Sequence, residues 1–456
     1  MSNTYDQVLY PSKAFQDTHP DRLATVAALH GLQPPTRACR VLDVGCGDGS
    51  NLIPLAVALP GSHFVGIDLA ARPIAIGQGT IARLGLSNVE LHALDILDFP
   101  AHLGPFDYII AHGFCSWVPP FVLDAFFALC QRHLSPHGVV FASYNTYPEG
   151  HLREATRRIL RHPGADSVAG AKAYLATVRQ QATNPVWTTI LDSEIERLNA
   201  RDENVTYHDE LGGAYHCFYV AHFLERAAAF GLQFLSEAKL RAVLSPPFSR
   251  EALAQPNEAA YQQALDFATF QGFRRTLLCR AENPVDRDGF AGRLPELLLA
   301  SPLRFVSRSA NGGETFRNER GPGQAELNHP QLLALLHQLE SLWPQARPIA
   351  SLLPPDPDPA VLNQILALAA AGLVALRSFE LPAASAPARY PVASPLARLQ
   401  ASSGPLLTTL LHTHVQIEEA AGRQFLQLLD GTRAASSLAV GGETLKALYR
   451  MGLMIA

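Results

Sequence analysis

Between residues 40 and 165, short apolar runs alternate with longer stretches of helical spacing. VLDVG, HFVGID, VELHAL, FDYIIAH and GVVFASY read as strands; helices are predicted from Asn51, from Arg72, from Pro119 and after Glu149. Such alternation predicts a parallel sheet with helices on both faces. The runs Val41 to Val44 and Phe64 to Ile67 suit strands covered on both sides. Ahead of them THPD reads as a helix start, with Thr18 as N-cap and Asp21 three residues on, followed by RLATVAALHGL at helical spacing. That helix is expected to lie over the sheet, with covering a ligand as its further option. Past about residue 165 the alternation stops, and stretches such as VAHFLERAAAFGLQFL predict a separate helical region to about 290. From 290 to 380 helices mix with a polar, Gly-rich turn, SANGGETFRNERGPG, which reads as a hairpin between LRFVSR and GQAEL and suggests a small winged-helix-like domain. LPAASAPARYPVASP reads as a linker, followed by another small helical unit containing LLDGTR. The expected division is 1–165, 166–290, 291–382 and 383–456.

A length of 456 residues fits two to four domains. The composition, 48% hydrophobic and 17% charged, is that of a globular protein, and a net charge of -5 argues against a general polyanion binder. No basic-then-apolar leader opens the sequence, and the longest uncharged apolar run, Ile365 to Leu376, is shorter than the roughly 20 residues a bilayer requires. The expectation is a cytoplasmic protein with no membrane insertion. Six scattered cysteines show no zinc-like spacing, so neither disulfides nor a metal is expected.

The first strand runs into Gly45, Gly47 and Gly49, with Ser50 where a dinucleotide fingerprint has its third glycine. In that fingerprint a helix N-terminus meets a pyrophosphate. A ligand without phosphate needs only close approach to the backbone, and S-adenosylmethionine is the common ligand of the G-x-G-x-G form preceded by an acid, here Asp43. A nicotinamide oxidoreductase is the weaker reading because of Ser50. Asp68 ends the second strand, nineteen residues after Gly49, where a carboxylate can accept from both ribose hydroxyls. Asp95 follows the third strand and could meet the adenine amino group, with Ile96 packing on the ring; Asp98 is its near competitor. His112 and Gly113 close the fourth strand at the same crevice, and a histidine in such a place is more often packed than catalytic. Cys46 and Cys115 read as bystanders to the chemistry. The expected donor-binding set is Asp43, Gly45, Cys46, Gly47, Asp68, Leu69, Asp95, Ile96 and His112.

With these residues in view, the chain resembles class I S-adenosylmethionine-dependent methyltransferases carrying a methyltransferase regulatory domain, a group that includes the rickettsial protein-lysine methyltransferases. The resemblance extends through YDQVLYPSKAFQDTHPDRL, HGFCSWVPPFV, SYNTYP, YHDELGGAYHCFYVAHFLERAAAFGLQFLSEA, FRRTLLCR, PLARLQ and LLDGTR. Two positions depart from the family: Cys115 stands where a tyrosine is usual, and Glu149-Gly150 where Gly-Trp commonly follows SYNTYP. The resemblance implies an α/β fold: a Rossmann-like methyltransferase domain, then a helical regulatory or substrate-recognition domain, then a C-terminal winged-helix-like region. The winged helices are not expected to bind DNA, since HPQLLALLHQLESLW carries little basic charge. The expected acceptor is a protein side chain such as lysine. Trp117, Tyr144, Asn145 and Tyr147, which flank the ends of strands four and five, would wall the acceptor pocket and hydrogen-bond the amine. A small-metabolite acceptor and a non-catalytic S-adenosylmethionine sensor or assembly factor are the alternatives, and a homodimer is left open.

Overall fold

The computed structural model describes residues 4–163, 167–438 and 442–456. Five parallel strands, β1 (Arg40–Val44), β2 (His63–Asp68), β3 (Val89–Ala93), β4 (Phe106–Ala111) and β5 (Leu134–Thr146), lie in the order 3-2-1-4-5. Their apolar runs sort by parity. Val41, Phe64, Ile110 and Phe141 join the core on one face, while Leu42, Val65, Ile109 and Val140 join the core on the other. This is the period of two that a strand buried on both sides requires. Helices Pro20–Leu29 and Leu52–Ala58 cover the first face, and helix Pro120–His133 covers the second.

The entry helix begins one residue later than the sequence suggests. Its N-cap is His19, whose Nδ1 accepts the Asp21 N–H at 2.9 Å, with Pro20 in the first turn. Thr18 belongs to the preceding turn, and its hydroxyl meets the Phe15 carbonyl at 2.8 Å.

The helical region is present in Gly150–Leu160, Val168–Gln181 and Pro185–Asn199, which share a small core of Leu160, Leu175, Leu191 and Leu198. It does not extend to 290. From 217 onward the chain returns to the sheet through β6 (Cys217–Phe218), β7 (Leu232–Glu237) and β8 (Phe273–Arg280). β6 pairs with the end of β5, β8 lies antiparallel beside β5, and β7 lies antiparallel beside β8. The expected helix through VAHFLERAAAFGLQFL is cut by Gly231 at φ 69°, so LQFL becomes a strand. The expected boundary at 165/166 lies outside the described residues.

Beyond the sheet come β9 (Leu298–Ala300), β10 (Leu303–Arg308), β11 (Glu314–Asn318), β12 (Gln324–Leu327), β13 (Arg347–Pro348) and β14 (Ala375–Arg377). The polar turn between LRFVSR and GQAEL is therefore not a single hairpin. Its ETFRN segment is β11, the central strand of an antiparallel β10-β11-β12 sheet, anchored by the buried Phe316. Nor is 381–395 a free linker. Ala383 bridges to Ile455, Val392 to Asp430 and Ala393 to Met454, so its small residues let the backbone pair closely. The last unit carries the hairpin β15 (Leu406–Thr408) and β16 (His414–Gln416). Leu410 and Leu411 at its tip join the same core as the first face of the large sheet. Among the described residues no helix is long and apolar enough to cross a membrane, and no group of three or more His, Cys, Asp or Glu could hold a metal ion.

Candidate active site

The strand order reverses between β1 and β4, and an open α/β sheet binds its ligands at the carboxyl ends of the strands beside such a point. There the turn after β1 carries Gly45, Gly47 and Gly49 at φ 76°, 57° and 74°, a left-handed region costly to any residue with a side chain. Its glycine amides are already engaged. Gly45 and Cys46 donate to the Ile67 carbonyl, Gly49 to the Cys46 carbonyl, Ser50 to Asp48 Oδ1 and Gly47 to Asp68 Oδ2. A phosphate cradle needs such N–H groups pointing outward. This turn is built for a ligand without phosphate.

Asp68 closes the turn from β2. Its two oxygens accept the Gly47 N–H at 2.9 Å and the Ala70 N–H at 2.8 Å, which leaves each with a further lone pair. Burial raises its pKa, and those two N–H bonds oppose the rise. The adjacent Leu69 is 63% exposed, an apolar surface beside the carboxylate. Across the crevice Ile96 is buried, and Asp95 uses Oδ1 to cap the following turn through the Leu97 N–H. Asp43 sits beneath the turn: it is 3% exposed, and its Oδ2 accepts from Asn51 Nδ2 at 3.1 Å. Cys46 points inward as well, because Gly66 has no side chain to occupy the space of its sulfur; a Cβ there would lie 2.7 Å from Sγ. Asp43 and the Cys46 side chain therefore support the turn from below.

The N-terminal segment crosses above. Ser12 Oγ lies 3.0 Å from where a Gly47 Cβ would project, and Phe15 stacks on His112 with ring centres 3.7 Å apart. His112 is sandwiched between Phe15 and Phe141, and burial draws its pKa down to about 4. It is a neutral stacking residue. Asp6 accepts the Arg72 N–H on one side of the crevice, and His208 meets the Val8 carbonyl at 2.7 Å and stacks on Tyr5 on the other. Phe114 packs over Gly45, while nothing lies within 4 Å of a side chain placed at Gly113, so the crevice is open there.

The four expected acceptor residues separate. Asn145 is buried and accepts Arg153 Nη1 at 2.8 Å, while its own N–H donates to Ser116 Oγ. Trp117 lies beneath the guanidiniums of Arg153 and Arg157 and beside Tyr215 at 5.4 Å. Tyr147 donates to Glu154 Oε1 at 2.6 Å and stacks on His151. Tyr144 is not part of this wall. Only 1% exposed, it points through the opposite face of β5, stacks on Phe223 and pairs with the Thr276 hydroxyl at 2.9 Å. Successive strand residues alternate faces, so Tyr144 and Asn145 cannot share one pocket.

Sequence reasoning missed Arg153, Arg157, Tyr215 and the carboxylates behind them. Glu210, without solvent exposure, lies 3.2 Å from Arg153, 3.0 Å from Arg197 and 3.4 Å from Arg201. Burial alone would raise its pKa, but the surrounding guanidiniums hold it below the usual range. The two departures from the family pattern are filled by local packing. Cys115 is buried, with its thiol pushed up to about 12, and a Cβ at Gly150 would sit 2.5 Å from Cys217 Sγ. A separate cavity of about 720 Å³ lies against β7, β8 and helix Glu258–Thr269. No glycine-turn residue lines it, and its Arg274 is bonded to Glu237, Asp266 and Gln262.

Sheet order, the antiparallel β8 and a glycine turn closed by an acid on β2 together define the class I methyltransferase fold. Comparison with known families agrees: a methyltransferase domain matches residues 41–138, a predicted methyltransferase regulatory domain 202–280, and the PKMT C-terminal winged helix domain 389–442. The uncharacterized protein RP028 of Rickettsia prowazekii is 33% identical over 233 residues, covering 49% of this chain and 93% of that one. RP789 of the same organism is 33% identical over 299 residues, 63% of this chain; the chain spans about half of RP789, 54% of its length. PKMT2 from Rickettsia typhi, solved alone and in complex with AdoHcy, superposes with a TM-score of 0.85 over 98% of this chain and 100% of that one, at 24% identity. The chain belongs to the family of class I methyltransferases that carry a methyltransferase regulatory domain and a PKMT-type C-terminal winged helix.

Proposed function

We propose that the protein transfers a methyl group from S-adenosylmethionine to a protein side chain, with lysine as the acceptor. The observation that carries this reading is the turn whose glycine amides are already engaged while Asp68 beside it keeps lone pairs to offer. Asp68 would hold the ribose hydroxyls, Leu69 and Ile96 the faces of the adenine, and Asp95 its amino group; Gly45 and Gly47 allow close approach to the main chain, with Asp43 and Cys46 supporting them and His112 as a packed wall. When bound, the donor supplies an activated methyl on a sulfonium. The chain's own task is alignment in a water-poor pocket. A lysine must also arrive as the neutral amine, against an ordinary pKa of about 10.4. The two guanidiniums over Trp117 disfavour the ammonium form, and Asn145 is the polar anchor at the end of β5. Similarity to PKMT2 and to the rickettsial protein-lysine methyltransferases supports the choice of acceptor.

Six free thiols, five of them buried, accord with a reducing compartment, and the cytoplasm is the location we assign. A homodimer is the working assumption for the assembly, to be measured by sedimentation.

Titration calorimetry with S-adenosylmethionine tests the donor. Micromolar binding is expected, with Asp68→Ala weakening it by at least about tenfold, the scale of charge-assisted hydrogen bonds lost; no binding at millimolar donor would overturn the proposal. Labelled donor added to a lysate tests the acceptor, with methyl-lysine in protein expected and label confined to small molecules contradicting it.

A further inference from the structure

Asn51 stands at the start of helix Leu52–Ala58, where an asparagine side chain usually accepts an N–H of the first turn. It makes no such bond. Its Oδ1 faces the Phe15 backbone N–H at 3.2 Å, His412 Nε2 at 2.9 Å and the Thr18 hydroxyl at 3.0 Å. A backbone N–H can only donate, so the atom it meets is the amide oxygen, and this fixes which way the amide is turned. Nδ2 consequently points at Asp43 Oδ2, 3.1 Å away. His412 must then carry its proton on Nε2. Its Nδ1 is left as an acceptor, buried with no partner among the described residues.

His412 lies at the tip of the β15-β16 hairpin, 361 residues along the chain from Asn51. It is 2% exposed and adopts φ 56°, a left-handed conformation that is costly for a residue with a side chain. An orphaned ring nitrogen and a strained backbone are both retained where the ring's hydrogen bond reaches the methyltransferase turn. Packing alone would be served as well by an apolar residue, as it is at the neighbouring Leu410 and Leu411.

We infer that His412 is a positioning residue of the donor site: it holds Asn51 against Asp43 and so fixes the glycine turn, making the C-terminal winged-helix unit part of the donor-binding apparatus. The turn is fixed from two sides. Asp68 fastens Gly47 from above, and the His412-Asn51-Asp43 chain fastens the turn to β1 from beneath. Release of the lower fastening lets the left-handed turn sample other shapes, and binding then has to order it, at a loss of affinity. The inference rests on the proposal that this turn receives S-adenosylmethionine.

The test uses the full chain and the non-reacting product analogue S-adenosylhomocysteine, titrated calorimetrically. His412→Phe keeps the bulk of the ring and removes the donor; it is expected to weaken binding by about tenfold, one buried hydrogen bond's worth. His412→Gln keeps an N–H donor and is expected to stay within about threefold of the unsubstituted protein. Leu411→Ala controls for packing: its melting temperature is expected to fall while affinity stays within about twofold, since it loses core contacts and no polar link. Equal affinities for H412F and the unsubstituted protein, or equal losses in H412F and H412Q, would overturn the inference while leaving the donor assignment standing. Absence of binding by the unsubstituted protein would remove the donor assignment and the inference together.

Discussion

Asp43 is almost fully buried, and among the described residues only Asn51 donates to its carboxylate. Burial, with a smaller contribution from the charge of Asp68, raises its pKa from 3.8 to about 7 against the pull of Asn51. Between about pH 4 and 7 the folded protein therefore holds a proton that the unfolded chain has released. This preference favours folding fully below about pH 4 and is lost as the pH rises through 7, an effect on the order of a few kcal/mol. Denaturant midpoints are expected to fall across that window, and Asp43→Asn to flatten the fall, leaving only what Asp68 and other groups contribute. An unchanged slope in D43N would contradict the assignment. At this scale the sequence was most legible where the chemistry is local. Three glycines after a strand and an acid at the end of the next strand announce a turn and its partner. Asn51 reads only as a helix start, because two of its partners are the Phe15 amide and a histidine 361 residues away.

Strand β5 shows how an element divides residues that its sequence places side by side. SYNTYP brings Tyr144, Asn145 and Tyr147 within four positions, but the pleat sends Tyr144 into the core beneath helix Val220–Ala228 and Asn145 to Arg153. Tyr144→Phe is expected to lower stability by about 1 kcal/mol, the value of its bond to Thr276, with methyl transfer unchanged. Asn145→Ala is expected to lower kcat at least about tenfold while donor affinity holds, because Arg153 loses its fixed partner beside Trp117. Rate assays beside melting curves separate the two, and the opposite pattern would restore Tyr144 to the pocket. Four of the parallel strands were legible because apolar runs leave little choice of structure, and β3 because Val89 and Leu91 alternate with polar residues. β7, β8 and β11 were not: one continues a helical pattern until Gly231 breaks it, one sets paired arginines before a three-residue apolar run, and one sits inside a polar turn.

At the scale of the whole molecule the units cannot be divided by composition. The core on one face of the sheet continues through Leu335 and Ile365 to Leu410 and Leu411 of the last hairpin. Alanine, proline and serine between 381 and 395 suggested a tether, yet short side chains are also what two paired backbones need when little room separates them. The order of the strands has a consequence for the nascent chain. Tyr144 pairs with Arg274, so β5 emerges from the ribosome about 130 residues before its neighbour β8. During that interval one rim of the nucleus offers unpaired main-chain groups to any passing strand. A fragment ending at residue 165 is expected to self-associate in sedimentation experiments, and a monomeric, fully folded one would show that the rim closes by other means. Synthesis of residues 147–272 is thus a waiting period for the growing polypeptide, during which that rim stands without its permanent neighbour.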